Sequence, residues 1–247
     1  MDKKLERILP LVQKPARYTG GEYGEIQKDK SEVDLRMALC FPDTYEIGMS
    51  NTGMRILYQV LNDLPGVWCE RVFAPWFDMD RQMREKGLPL YALESGDPLS
   101  EFDAIGFSLG YEMAYTTVLE MLDLAGIPLR SAERTSGPFV ICGGPCAFNP
   151  EPLAPFVDLF VLGDGEVSTH QTIDAFKQWK ASGLPREEYL RMAARIPGVY
   201  VPSFYDVSYH ADGTIAAIEP KEGTGAPQMV YKALVSDLTC AEYPEKL

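Results

Sequence analysis

The chain has 247 residues, 46% of them hydrophobic, with a formal net charge of −13 and a mean hydropathy of −0.14. At roughly 100–200 residues per domain this is one large domain or one domain with an appendage, and the composition is that of a soluble globular protein. No apolar run nears the roughly 18 residues that cross a membrane, the charged start MDKKLERILPLVQKP lacks the apolar core of a secretory signal, and a pI of about 4.6 leaves this fragment without the basic field that nucleic-acid binders present to phosphate. A cytoplasmic protein with neither membrane nor nucleic acid as partner is expected.

Residues 1–33 read as a short helix followed by a polar, Gly-rich arm, KPARYTGGEYGEIQKDKSEV. Residues 34–183 then alternate between strand and helix patterns. LRMALCF is a buried strand, and NTGMRILYQVLNDL a helix with Met54, Leu57, Tyr58 and Leu61 at three- and four-residue spacing. VWCERVFA is the second strand, followed by the helix FDMDRQMREKG, which Gly87 ends. DAIGFSL is the third strand, EMAYTTVLEMLDLAG a helix stopped at Gly126, PFVICGG the fourth strand and VDLFVLGDG the fifth. VSTHQTIDAFKQWKASG closes the series as a helix ending at Gly183. Alternation of this kind means parallel βαβ units with right-handed crossovers. Strands so apolar are covered on both faces. The expected fold is α/β: a flavodoxin-like, doubly wound, five-stranded parallel sheet in the order 2-1-3-4-5.

Residues 184–247 change texture. PREEYLRMAARI is a short helix, and GVYVPSFYDVSYHADGTIAAIEP two strands around the turn at residues 211–214. QMVYKALVSDL is a candidate further strand, and TCAEYPEKL reads as a linker. The expectation is a small antiparallel β appendage.

In an open α/β sheet, ligands bind beyond the carboxyl ends of the strands. Four strand-to-helix loops on that edge hold Gly or compact polar residues: FPDTYEIGMSN, FSLGYE, CGGPCAFNPEP and LGDGE. Glycine there permits positive φ and close approach of a ligand, or simply a tight turn. No G-x-G-x-x-G or P-loop follows the first strand, and Asp43, Glu46, Asp164 and Glu166 would repel phosphate. A large ligand held by shape and backbone contacts, or a partner surface, fits this edge better than a nucleotide.

The stretches RYTGGEYGEI, FPDTYEIGMSNTGMRILY, ERVFAPWFDMD and GGPCAFNPEPLAPFVDLFVLGDGE resemble the cobalamin-binding-like domain at the N-terminus of an uncharacterised group of radical SAM (S-adenosylmethionine) proteins. The resemblance covers nearly the whole chain. It implies a corrinoid site at the carboxyl edge and a radical SAM barrel downstream as partner. The 4Fe-4S cluster and S-adenosylmethionine would belong to that barrel, so this fragment alone would not be catalytic. Asp43 and Gly48 match the ends of the family's Asp-x-His-x-x-Gly motif, with Tyr45 in the histidine's place. Ser108 and Gly110, in SLG order, match in part a Ser-x-Leu motif beside the nucleotide tail. Gly143 and Gly144 match the Gly-Gly that the tail passes, and Gly163, Gly165 and Glu166 match a G-x-G-E turn. A phenol of pKa near 10 is a poor metal ligand beside an imidazole. Either corrin binds here with no histidine below its cobalt, or the domain is a cofactor-free interaction or substrate-recognition module packed on the barrel.

The remaining chemistry-bearing residues read as structural. Five cysteines at irregular spacing make no disulfide framework. CGGPC lacks the third cysteine of a radical SAM cluster motif and the further ligands of a zinc site. Cys142, ending a strand, is expected to pack as a small hydrophobe. His170 and His210 are far apart in the chain. Trp68, Phe73, Trp76 and Phe77 are expected in the core, with any exposed fraction facing a neighbouring domain.

Overall fold

The computed structural model describes residues 3–237, without the side chains of Glu166 and Val167. The reading of TCAEYPEKL and the site role given to the Glu166 carboxylate therefore lie outside what is described, as does Cys240. Strands β1 (Leu35–Phe41), β2 (Val67–Phe73), β3 (Ala104–Ser108), β4 (Phe139–Gly143) and β5 (Leu159–Val161) are parallel neighbours in the order β2-β1-β3-β4-β5. Their side chains are buried on both faces, as their near-continuous apolar runs require.

The sheet has six strands rather than the expected five. β6 (Val199–Tyr200) pairs antiparallel with β5. Two helices separate these strands, α6 (Gly165–Ser182) and α7 (Arg186–Ala193). The chain therefore reverses direction twice and returns to the carboxyl end of β5, so the next strand can only run antiparallel. GVYV, assigned above to the appendage, thus belongs to the main sheet. The separate hairpin is β7 (Tyr205–Tyr209) with β8 (Ile215–Pro220). QMVYKALVSDL forms no strand in its described part, only an isolated parallel bridge between Ala233 and Gly163.

The helices follow their sequence signals. Before α3 (Thr52–Asp63), Asn51 Oδ1 caps by accepting from Met54 N–H at 3.0 Å. Gly87 ends α4 (Phe77–Lys86), and Gly183 ends α6, both in the left-handed conformation. The short helix expected at the start of the chain is α1 (Lys3–Ile8), and the loop after β1 contains a further one-and-a-half-turn helix, α2 (Tyr45–Ser50), too short to leave a periodic signal. The remaining helix, α5 (Tyr115–Leu124), begins after a 3-10 turn at Glu112–Ala114.

The exposed edge of β2 is closed by other segments of the chain. Lys28 Nζ donates to Val67 O, and Trp68 Nε1 donates to Ile26 O at 3.1 Å. Leu93 N–H donates to Arg71 O, and Arg71 N–H donates to Glu94 Oε2 at 2.7 Å. Unpaired strand edges invite aggregation, and covering them is a standard remedy. Residues 14–33 are therefore clamped along the sheet rather than extended from it. At the centre of the clamp the Arg71 guanidinium bonds Glu94 Oε1 at 2.6 Å and Glu22 Oε2 at 3.2 Å and lies over the Tyr58 ring. Glu94 is fully shielded from solvent and Arg71 nearly so.

Removing one member of such a buried pair leaves the other uncompensated. Arg71→Met is expected to cost about 3–5 kcal/mol, and the double variant Arg71→Met/Glu94→Leu to recover most of it; urea unfolding midpoints at constant m-value check both.

Candidate functional site

The loops after β1, β2, β3 and β4 meet along the carboxyl edge. Asp43 joins two of them: its Oδ1 accepts from Thr44 N–H at 2.7 Å and its Oδ2 from the Tyr111 hydroxyl at 2.5 Å. Tyr111 was not singled out from the sequence, although it stands directly after Gly110 in the β3 loop. This hydrogen bond, with burial second, raises the Tyr111 phenol above its ordinary value.

Tyr45 opens α2, and its ring meets Phe73 edge-on at 5.6 Å between centroids. Burial, followed by the nearby Glu22 charge of the N-terminal arm, raises the pKa of its hydroxyl. The neutral phenol is thereby favoured further, which makes it a still poorer metal ligand. The ring lines a small cavity with Arg17, Tyr18, Trp76, Met79 and Tyr91. Gly48 is needed for packing: a Cβ there would lie 2.2 Å from the Phe73 ring.

The glycines of the other loops divide into two groups. Gly144 has φ +97, and a Cβ on it would lie 2.8 Å from Leu109 O. The β3 loop occupies that space, with Leu109 N–H donating to Gly143 O and Leu109 O accepting from Cys146 N–H. Gly163 has φ +99, and a Cβ on it would lie 2.1 Å from Ala233 O. Both close approaches are made by the chain's own backbone. At Gly143 and Gly165 a Cβ would meet only ordinary contacts, and at Gly110 nothing within 4 Å. Ser108 is half-buried and lies in register beside Gly143. The edge therefore brings Asp43, Ser108, Gly110, Gly143 and Gly144 together. Tyr45 is turned toward the arm, and Gly163 is covered.

The edge also exposes several large apolar side chains. Trp76 and Phe77 follow β2, Ile47 follows β1, Tyr111 and Met113 follow β3, and Phe148 follows β4. Phe77 is 77% and Met113 83% exposed. Of the four aromatics expected in the core, Trp68 and Phe73 are there and Trp76 and Phe77 are not.

The thiols are quiet. Cys40, Cys69 and Cys142 are buried, and burial pushes all three thiols up, away from the reactive thiolate. Burial and Glu112 do the same to Cys146. His170 lies on α6 and His210 at the hairpin turn. Among the described residues no group of three or more His, Cys, Asp or Glu side chains could hold a metal ion, and no helix is long and apolar enough to cross a membrane.

The family model for the N-terminal part of radical SAM proteins matches residues 53–202. That stretch runs from the start of α3 to just past β6 and covers more than half of the chain, so the chain belongs to this family. A relative from Methanocaldococcus jannaschii, uncharacterized protein MJ0966, is 26% identical over 133 residues, which cover 53% of this chain and 24% of that protein.

Two substitutions separate the filled glycine from the open one. Gly144→Ala is expected to cost about 1–3 kcal/mol through backbone strain and collision with Leu109, whereas Gly110→Ala should stay within about 0.5 kcal/mol of wild type; thermal unfolding of both variants measures the difference. At the arm, Arg17 and then Lys14 hydrogen-bond Glu46 and hold its carboxyl at about 2. A depressed carboxylate pKa stabilises above the ordinary value and loses that contribution as pH falls through the folded value. Attachment of the arm should thus weaken from about pH 4.5 down to about pH 2. Glu46 is 42% exposed, so screening keeps the effect small. Amide exchange of residues 14–26 follows it, and Glu46→Gln should flatten the dependence.

Proposed function

We propose that this member of the radical SAM N-terminal family is a non-catalytic docking domain. Its carboxyl edge would pack on the domain that carries the iron–sulfur cluster and S-adenosylmethionine and would shape substrate access there. The observation that carries this reading is the row of exposed apolar side chains on four successive strand-to-helix loops. Buried aromatic and Met side chains form the centres of protein interfaces, and contiguous exposed apolar surface marks them. The chain spans 24% of the length of the curated relative it matches, which supports the presence of further domains in proteins of this kind.

The same edge argues for docking without a corrinoid. The close approaches at Gly144 and Gly163 are taken by Leu109 and Ala233, and the Tyr45 phenol is kept neutral by burial and the nearby Glu22 charge. Asp43, the one carboxylate of the motif, is bonded to Tyr111 across the loops. Both Asp43 carboxylate oxygens are thereby occupied within the chain, one by Thr44 N–H and one by Tyr111.

Two measurements test the reading. Hydroxocobalamin added to this chain at up to about 100 μM should leave its visible spectrum unchanged and should not co-elute; co-elution would reinstate the corrinoid. In a protein that carries the cluster domain on the same chain, Phe77→Ser with Met113→Ser should lower S-adenosylmethionine cleavage several-fold or loosen the domain contact in limited proteolysis. Unchanged cleavage and proteolysis would remove the docking role from this edge.

A further inference from the structure

We propose that the carboxyl end of β5 is a receptor groove for an extended peptide, and that residues 232–235 of this same chain fill it as a strap. Leu162 N–H donates to Gly198 O at 2.7 Å, and Leu162 O accepts from Ala233 N–H at 2.9 Å. Asp164 N–H then donates to Ala233 O at 2.9 Å. In extended backbone, the N–H and C=O of one residue point to the same side. The strap therefore continues the side of β5 that β6 occupies further down: a parallel bridge at Gly163 follows the antiparallel pairs at Phe160 and Val161.

The groove is shaped for a small residue. A Cβ on Gly163 would lie 2.1 Å from Ala233 O, and one on Gly198 3.1 Å from Ala233 Cβ. Both glycines also hold positive φ. Ala233 is half-buried, whereas Tyr231 and Leu234 on either side stand out into solvent. Main-chain pairing supplies the affinity and the glycine floor the selectivity, which is the logic of strand addition to a sheet edge.

A side chain adds the latch. Asp164 holds the N-cap position of α6 but makes no side-chain cap bond. Its Oδ2 instead accepts from Val235 N–H at 2.7 Å. A hydrogen bond to a charged acceptor is among the stronger ones. The ligand class is thus an extended peptide with a small central residue and a free amide two residues later. With the strap seated, the β5 corner is closed, and the open surface narrows to the loops after β2, β1, β3 and β4. The inference concerns this corner alone and stands whether or not the open loops dock a domain.

Hydrogen exchange on the whole chain tests it. In the unaltered protein the amides of Ala233 and Val235 should exchange more slowly than in an unstructured chain. Asp164→Ala should speed exchange at both roughly tenfold, as loss of a charged hydrogen bond predicts, with β1 and β3 amides unchanged. Asp164→Asn, which keeps an acceptor, should fall between the two. Ala233→Leu, which overfills the groove without touching the latch, should release the strap as well. Unstructured-chain exchange at 233 and 235 in the unaltered protein, or unchanged exchange in both Asp164→Ala and Ala233→Leu, would overturn the strap.

Discussion

One guanidinium organises the edge of this domain. Arg71 lies on β2, the outermost parallel strand, where a charge meets the interior on one side and unpaired backbone on the other. Burying it requires carboxylates, and the chain brings Glu94 from the segment before β3 and Glu22 from the N-terminal arm. Arg36 on β1 repeats the arrangement one strand inward, bonded to Glu70 and Asp97 and lying over the Trp68 and Phe102 rings. Buried pairs of this kind add little net stability, yet breaking one is costly. Their effect is positional: the arm and the segment around Glu94 are held in register with β2.

That positioning reaches the candidate site. Glu22, drawn in by Arg71, brings its charge near the Tyr45 hydroxyl. Tyr45 is thereby turned to the arm, with its phenol kept neutral. The rest of the edge follows the same pattern, with close approaches made by the chain itself. Leu109 fills the space at Gly144 and Ala233 the space at Gly163, while Asp43 ties the β1 loop to the β3 loop through Tyr111. The Asp43 carboxylate is occupied within the chain, and several apolar side chains of these loops face outward. In the docking proposal, a protein partner's own apolar side chains would complete the burial of this surface.

Much of the architecture was legible in the chain. Short apolar runs such as LRMALCF, alternating with helical segments, read as two-sided buried strands, and the helices between them were marked by three- and four-residue spacing and by Gly87 and Gly183 at their ends. The sixth strand was not legible. Val199–Tyr200 is two residues long, too short for any periodicity, and its membership depends on α6 and α7 returning the chain to β5. The site was legible as a set of loops on one edge, because strand-to-helix connections in a parallel sheet must converge there. Whether each glycine faced a ligand or the chain was not, because the residues that fill Gly144 and Gly163 are 35 and 70 positions away.

The sequence by itself determined the class of fold, the edge where the loops gather, and the absence of a histidine from the β1 loop, since these depend on local pattern and residue identity. Only the tertiary structure decided that Tyr45 faces Glu22, that Trp76 and Phe77 are exposed while Trp68 is buried, and that Ala233 closes the β5 corner. The physical reason is the range of the interactions. Helix caps and strand alternation act within a few residues, whereas burial of a charge or the filling of a glycine cleft is settled by segments that meet only once the chain has folded.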